Sequence, residues 1–172
     1  MQFVIAALAI LILGLGFTAF TGAPYVPSKR RDIERAFTKL YKLSSKDTLV
    51  DMGSGDGVVL RMARRYGATA VGYEISPLLV LLSRLLARGD GKQKIISKSY
   101  WSANFPSATT VIYTFGDNRD IAKMYQKGQS EATRLGKTIN FITYGFAVPG
   151  IEATSKSGAH FLYTIPALAK KQ

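Results

Sequence analysis

Hydrophobic residues first occur in this chain as one unbroken block. Residues 3–20 (FVIAALAILILGLGFTAF) carry no charge. As a helix rising 1.5 Å per residue, such a block is ~27 Å long, close to the thickness of a bilayer's hydrocarbon core. A short linker follows at residues 22–27, stiffened by Pro24 and Pro27. Ser28 is placed to cap a helix in which Ile33, Ala36, Phe37, Leu40 and Tyr41 fall at i, i+3, i+4, i+7 and i+8. That spacing predicts one apolar stripe and, opposite it, a basic face.

From Lys46 onward the pattern alternates between short β-type runs and helical segments. Residues 48–50, 69–74, 94–97, 110–115, 138–144 and 159–165 read as strands. A helix-compatible segment starts at Val58. Ser76-Pro77 marks a second start, with an N-cap before proline at N1, running through residues 78–88 to a C′ residue at Gly89. Residues 78–82 (LLVLL) are apolar nearly all round, which predicts a helix buried against the sheet. Asp117 or Asn118 caps a further helix with Ile121, Met124, Tyr125, Ala132 and Leu135 on one side, closed by Gly136. Residues 145–158, with Pro149 and three glycines, read as a loop.

Alternation of this kind predicts an α/β fold with a mostly parallel, doubly wound sheet. Its ligand should lie at the carboxyl ends of the strands, beside the switch in strand order. The chain divides into an apolar anchor (1–22), a linker with a basic amphipathic helix (23–46) and the α/β domain (47–172).

Length and composition narrow this further. The chain's 172 residues suffice for one domain with a core. There is no cysteine, hence no disulfide and no thiolate metal site, and one histidine, His160, which lies inside the last strand pattern and reads as structural. A formal charge of +12 suits an anionic partner, nucleic acid or an acidic membrane leaflet, or else a solvated basic surface. Position favours the membrane. No Lys or Arg precedes the apolar block, whereas Lys29, Arg30, Arg31, Arg35, Lys39, Lys42 and Lys46 follow it. The asymmetry predicts a single-pass protein with its amino terminus outside and its α/β domain cytoplasmic. A cleaved signal peptide is the rival, with Thr21-Gly22-Ala23 as a small-residue site.

The candidate chemistry starts after the first strand, at Asp51-Met52-Gly53-Ser54-Gly55-Asp56-Gly57. Dinucleotide sites use G-x-G-x-x-G; here the last glycine comes one residue early, and an acid stands two positions before the first. This D-x-G-x-G-x-G form resembles motif I of the seven-strand S-adenosylmethionine (SAM) methyltransferases. SAM has no pyrophosphate to cradle but carries an ammonium and a sulfonium, so a strand-end carboxylate such as Asp51 suits it. Glu74, seventeen residues past Gly57 at the end of the second strand, stands where a ribose-binding carboxylate belongs. A requirement for intracellular SAM also argues for a retained anchor over an exported domain.

A narrower likeness follows from Tyr25-Val26-Pro27, the glycine motif, Val71-Gly72-Tyr73-Glu74-Ile75-Ser76-Pro77, Trp101 and Phe115-Gly116, in that order. Over about residues 25–165 the chain resembles the membrane-anchored lysine methyltransferases of the adenine nucleotide translocase and the ATP synthase c-subunit, and their prokaryotic relatives. The resemblance implies a Rossmann-like SAM-dependent methyltransferase fold behind one transmembrane helix. Asp51, Gly53, Gly55, Asp56 and Gly57 would form the methionine-side loop. Glu74 and Ile75 would border the ribose, Ser99 and Trp101 the adenine, and Tyr25 would close over the cofactor. Phe115 and Gly116 would border the channel through which a lysine amine enters. Ser99 stands where relatives carry Asp, and Asp117 where they carry an apolar residue.

Methyl transfer to lysine needs the amine aligned, desolvated and deprotonated. Asp117 is open to three readings: proton acceptor, cation binder or helix cap. Trp101 is a ring beside adenine or a core aromatic; Tyr25 is a lid or a packed linker residue. The expected protein is therefore a membrane-tethered, SAM-dependent protein-lysine methyltransferase with a membrane-associated protein substrate and no metal. Nucleic acid is disfavoured as a partner on this reading. The alternatives are a methyltransferase for a lipid or small molecule at the membrane, and a tethered SAM- or RNA-binding module without turnover.

Overall fold

A computed structural model describes residues 29–168. The apolar block at 3–20, Tyr25 and the Ser28 cap lie outside the described residues. Among those described, no helix is long and apolar enough to cross a membrane.

Seven strands form one sheet in the order β3-β2-β1-β4-β5-β7-β6. β1 (Thr48–Met52) pairs in parallel with β2 (Thr69–Glu74) on one side and β4 (Val111–Phe115) on the other. β3 (Gln93–Ser97) and β5 (Ile139–Tyr144) extend the parallel sheet outward. Strand order reverses between β1 and β4, so the predicted crevice opens there. All five residues of β1 are buried, as a strand covered on both faces requires.

β7 (His160–Ile165) runs antiparallel to β5 and closes the far edge with β6 (Ser155–Ser157). Here the predicted loop at 145–158 is corrected. Ser155-Lys156-Ser157 is a short polar strand turning back into β7 through Gly158-Ala159, and three polar residues give no alternation by which to detect it.

Side chains alternate across the sheet and define two cores. On one face, Leu49, Val111 and Tyr113 meet the helices α1 (Arg30–Arg35), α2 (Val58–Arg65) and α3 (Pro77–Ala87). On the other, Val50, Met52, Ile112 and Phe141 meet α4 (Ile121–Leu135). The predicted stripe at the amino end holds: Ile33, Ala36, Phe37 and Leu40 are buried, and Tyr41 is half-buried. α1 continues as a π-helical turn, Ala36–Leu40, closed by Tyr41 N donating to Ala36 O at 2.8 Å. Its Phe37 ring meets Tyr66 and Tyr113 edge-on, so this helix shares the domain's core.

α3 begins at Pro77 as expected, and Ser76 occupies the N-cap, but its side chain makes no capping bond. The expectation that α3 is buried fails on one side. Leu79, Val80 and Ser83 pack inward, while Leu81, Leu82, Leu85 and Leu86 are 57%, 40%, 67% and 40% exposed. A helix laid on a sheet buries one stripe, and no described element covers the remaining leucines. At its carboxyl end Arg88 (φ 52°) already takes the left-handed conformation, one residue before Gly89.

One polar knot ties the second face together. Glu131 of α4, 2% exposed, accepts from Lys127 Nζ at 2.7 Å, Arg134 Nη2 at 2.6 Å and Phe105 N at 3.1 Å. Burial alone would raise its carboxyl pKa, but the bonds from Lys127, Arg134 and Phe105 outweigh burial and hold it below the usual glutamate value. Such a group stabilises the fold above its unfolded pKa, and the contribution is lost as pH falls through the lower folded one. Glu131→Gln should therefore cost roughly 2–4 kcal/mol at neutral pH. In urea titrations across the acid range, the variant should also show a shallower loss of stability than the parent.

Candidate active site

The glycine turn closes β1 as predicted. Gly53 and Ser54 N both donate to Tyr73 O at 3.0 Å, which fixes the turn against the end of β2. Gly53 holds φ 80°, and a Cβ built there would meet nothing within 4 Å, so this side of the turn is open to a ligand. Gly57 caps α2 at φ 80°; its Cβ would lie 2.2 Å from Ser83 Oγ on α3. Loop and helix approach too closely there for any side chain.

Two carboxylates stand beside this turn. Glu74, at the end of β2, accepts from Gly55 N through Oε2 at 2.9 Å and from Ile75 and Ser76 N through Oε1, both at 2.8 Å. It thereby joins the glycine turn to the start of α3. Asp51 is 3% exposed and has no hydrogen-bond donor among the described residues. Burial raises its pKa well above the usual aspartate range, and the negative charges of Glu74 and Asp56 raise it further. Asp56 turns toward its own helix: Oδ1 accepts from Val58 N at 3.1 Å and Oδ2 from Arg61 Nη2 at 3.0 Å.

The remaining predicted residues lie along the same strand ends. Ser99 accepts from Trp101 N at 3.3 Å and opens a 3₁₀ turn, Tyr100–Ser102. Trp101 is 43% exposed, so it is not a core aromatic; its ring lies 4.6 Å from that of Tyr100. Ile75 is exposed at the rim beside Glu74. Burial raises the Tyr100 hydroxyl pKa, with Asp120, Glu74 and Asp117 adding to the effect.

At the end of β4, Phe115 is half-buried and Gly116 packs against Met124 of α4. Neither Asp117 nor Asn118 is the expected helix cap: the N-cap of α4 is Asp120, which makes no side-chain capping bond, and Asp117 instead closes the turn before it. Its Oδ1 accepts from Arg119 and Asp120 N, while Arg119 clasps Oδ2 through Nε (2.9 Å) and Nη2 (2.6 Å). The helix itself begins four residues later, at Ile121. The hydrogen bonds from Arg119 lower the Asp117 pKa, so it stays ionised and paired, poorly suited to accept a proton.

Sequence reasoning missed two residues. Tyr144, ending β5, sets its ring 5.2 Å from Phe115 and donates its hydroxyl to Asp32 of α1 at 3.1 Å. The strand-end rule would have found Tyr144; no local signal links it to Asp32, 112 residues away. Behind them His160 is buried, bonded through Nε2 to the Tyr113 hydroxyl at 2.8 Å and stacked on Tyr144. Burial lowers its pKa to about 4, so it is neutral and structural, as predicted.

The carboxyl edge thus collects Asp51, Asp56, Glu74, Asp117 and Asp120, five of the chain's eleven acids, in a protein of net charge +12. Arg61 and Arg119 answer Asp56 and Asp117, but Asp51, Glu74 and Asp120 have no such partner among the described residues, and that surplus of negative charge favours a cationic ligand. Among the described residues, no group of three or more His, Asp or Glu is arranged to hold a metal ion.

Asp51 makes this electrostatic load measurable. A group whose folded pKa is raised supports the fold below its unfolded pKa and loses that support as pH rises through the folded value. The parent should therefore lose stability relative to Asp51→Asn as pH rises from about 4 toward neutrality. Urea midpoints of the two proteins compared across that range will read the difference.

No family model matches the chain. It is 33% identical over 111 residues to the human ATP synthase c-subunit lysine N-methyltransferase, covering 63% of this chain and 46% of that protein. It is 42% identical over 65 residues to the mouse adenine nucleotide translocase lysine N-methyltransferase, covering 37% and 28%. The chain spans about half the length of the ATP synthase methyltransferases it matches. Among solved structures it superposes on an RNA methyltransferase from Salinibacter ruber in complex with S-adenosyl-L-homocysteine. The TM-score is 0.74 at 24% identity, over 86% of this chain and 98% of that one. The chain has the Rossmann-like fold of SAM-dependent methyltransferases and is similar in sequence to lysine N-methyltransferases.

Proposed function

We propose that this chain is a SAM-dependent protein-lysine N-methyltransferase, tethered by residues 3–20 and acting on a membrane-associated protein from the cytoplasmic side. The observation that carries the reading is the acidic edge. Asp51 is buried beside two other acids with no cation among the described residues to offset it. That environment fits a cofactor bearing an ammonium and a sulfonium, and next to it an incoming lysine.

SAM, when bound, supplies a methyl carbon already activated by its sulfonium. The chain's residues do the rest. Asp51 holds the ammonium end, and Glu74, fixed by three backbone donors, offers the one lone pair left on Oε2 to a ribose hydroxyl. Trp101 and Tyr100 flank the adenine side. The Phe115 and Tyr144 rings wall the approach to the methyl group and favour a cation by their π-faces. Tyr144 donates to Asp32, leaving its oxygen lone pairs for the substrate ammonium. Apolar walls disfavour the charged amine and promote loss of its proton.

The likeness to an RNA methyltransferase and the +12 charge raise an RNA substrate as the second reading. Carboxylates at the crevice mouth oppose it, because they repel phosphates where a base would have to enter. Membranes of the source organism incubated with the protein and methyl-labelled SAM should carry label in the protein fraction, on lysine. Label confined to lipid or to RNA would overturn the assignment. Glu74→Gln, which sets amide donors against the backbone N–H groups of the glycine turn and α3, should weaken SAM binding in calorimetry roughly 10- to 100-fold.

A further inference from the structure

On the face of the sheet that carries α1, α2 and α3, a cleft of about 340 Å³ is lined by Arg30, Val58, Arg61, Met62, Arg65, Leu86 and Arg88, with Val58 and Arg61 placing one end of it behind the glycine turn. Its size is at the lower end of small-ligand sites, ~300–1,000 Å³. Four guanidinium groups border it. Only Arg61 has an acid partner, Asp56; among the described residues Arg30, Arg65 and Arg88 have no carboxylate within ion-pair distance. Arg88 also holds a left-handed backbone conformation (φ 52°) usually left to glycine. Beside the cleft, Leu81, Leu82, Leu85 and Leu86 form the uncovered side of α3.

Arginines around a cavity select a phosphate-type anion. Leucines beside it select aliphatic chains; a nucleic acid would call for stacking aromatics instead. Phosphate and aliphatic chain occur together in a phospholipid. We propose that this cleft binds the headgroup phosphate of an anionic phospholipid, and that the α3 leucines seat on the membrane beside it. The position of the chain agrees with this. Arg30 follows the apolar block by ten residues, at most ~36 Å of extended chain, so an anchor at 3–20 leaves the cleft within reach of the bilayer surface.

The inference rests on the tethered reading above but fails separately from it. The chain has no cysteine, so Leu85→Cys gives one attachment point for an environment-sensitive fluorophore, and Gln126→Cys on α4 a control on the opposite face. The full chain is mixed with vesicles of phosphatidylcholine alone or of phosphatidylcholine with phosphatidylglycerol. A blue shift and intensity gain at position 85, absent at 126, dependent on phosphatidylglycerol and lost on adding Arg65→Glu with Arg88→Glu, is the expected result. Position 85 remaining in water with phosphatidylglycerol vesicles overturns the inference, whether or not the chain sediments with them. Failure to sediment with phosphatidylcholine vesicles counts against the anchor, while a shift with phosphatidylglycerol would still support the cleft. A shift with inorganic phosphate alone would assign the cleft to a free anion. A shift without vesicles would assign the leucine face to a second copy if it grows with protein concentration, or to residues 3–20 folded back if it does not. Each of these overturns the lipid assignment.

Discussion

The Glu74 carboxylate is the contact on which the strand-end architecture depends. It accepts from Gly55 on one side and from Ile75 and Ser76 on the other, so one side chain holds the glycine turn and the first residues of α3 in register. The acid is needed for both oxygens. An amide offers a single acceptor and would aim donors at backbone N–H groups already pointing inward. Because those contacts are made by backbone groups, the crevice is shaped before any ligand arrives, and binding need not organise it.

Around that contact the molecule separates its charges. Acids concentrate at the carboxyl edge of the sheet, where Asp51 is held against desolvation and against its neighbours' charge. Arginines concentrate on the α2 and α3 face. Asp51 sits where it costs stability, which is what a ligand-binding charge does when its counter-charge belongs to the ligand. Glu131 shows the opposite case: an acid as deeply buried, but answered by Lys127 and Arg134, and therefore structural.

What could be read from sequence follows the range of the interactions involved. The strands, the glycine turn and the acids at 51 and 74 were legible because each is set by residues a few positions apart. A helix cap at Asp117 was expected, but the side chain closes the turn before Asp120, and the Arg119 clasp that leaves it ionised was not legible. Neither was the tie from Tyr144 to Asp32, because only the folded sheet brings them together. β6 has too few residues, all polar, for its alternation to register. The leucines of α3 mark a different limit. An all-round apolar helix signals that every side meets something apolar, but periodicity cannot say whether the partner is the rest of the protein. Here the described elements cover only one stripe.

That uncovered helix bears directly on how the carboxyl edge of the sheet is aimed. α3 starts at the residues Glu74 holds and ends at Arg88 on the cleft's rim, eleven helical residues or about 16 Å at 1.5 Å each, while Arg61 joins the cleft's other end to Asp56 of the glycine turn. A helix is stiff over this length, and Ser83 locks it against Gly57 of the glycine turn. Whatever fixes the leucine face in space therefore fixes the crevice with it. An anchor at 3–20 alone would let the domain rotate on its linker, presenting Phe115 and Tyr144 in every direction. With α3 seated as well, the linker and the helix are two separate points of attachment, and the domain loses that freedom. On the proposed reading, the crevice would then face the bilayer surface in one orientation, and a lysine close to that surface could be met repeatedly.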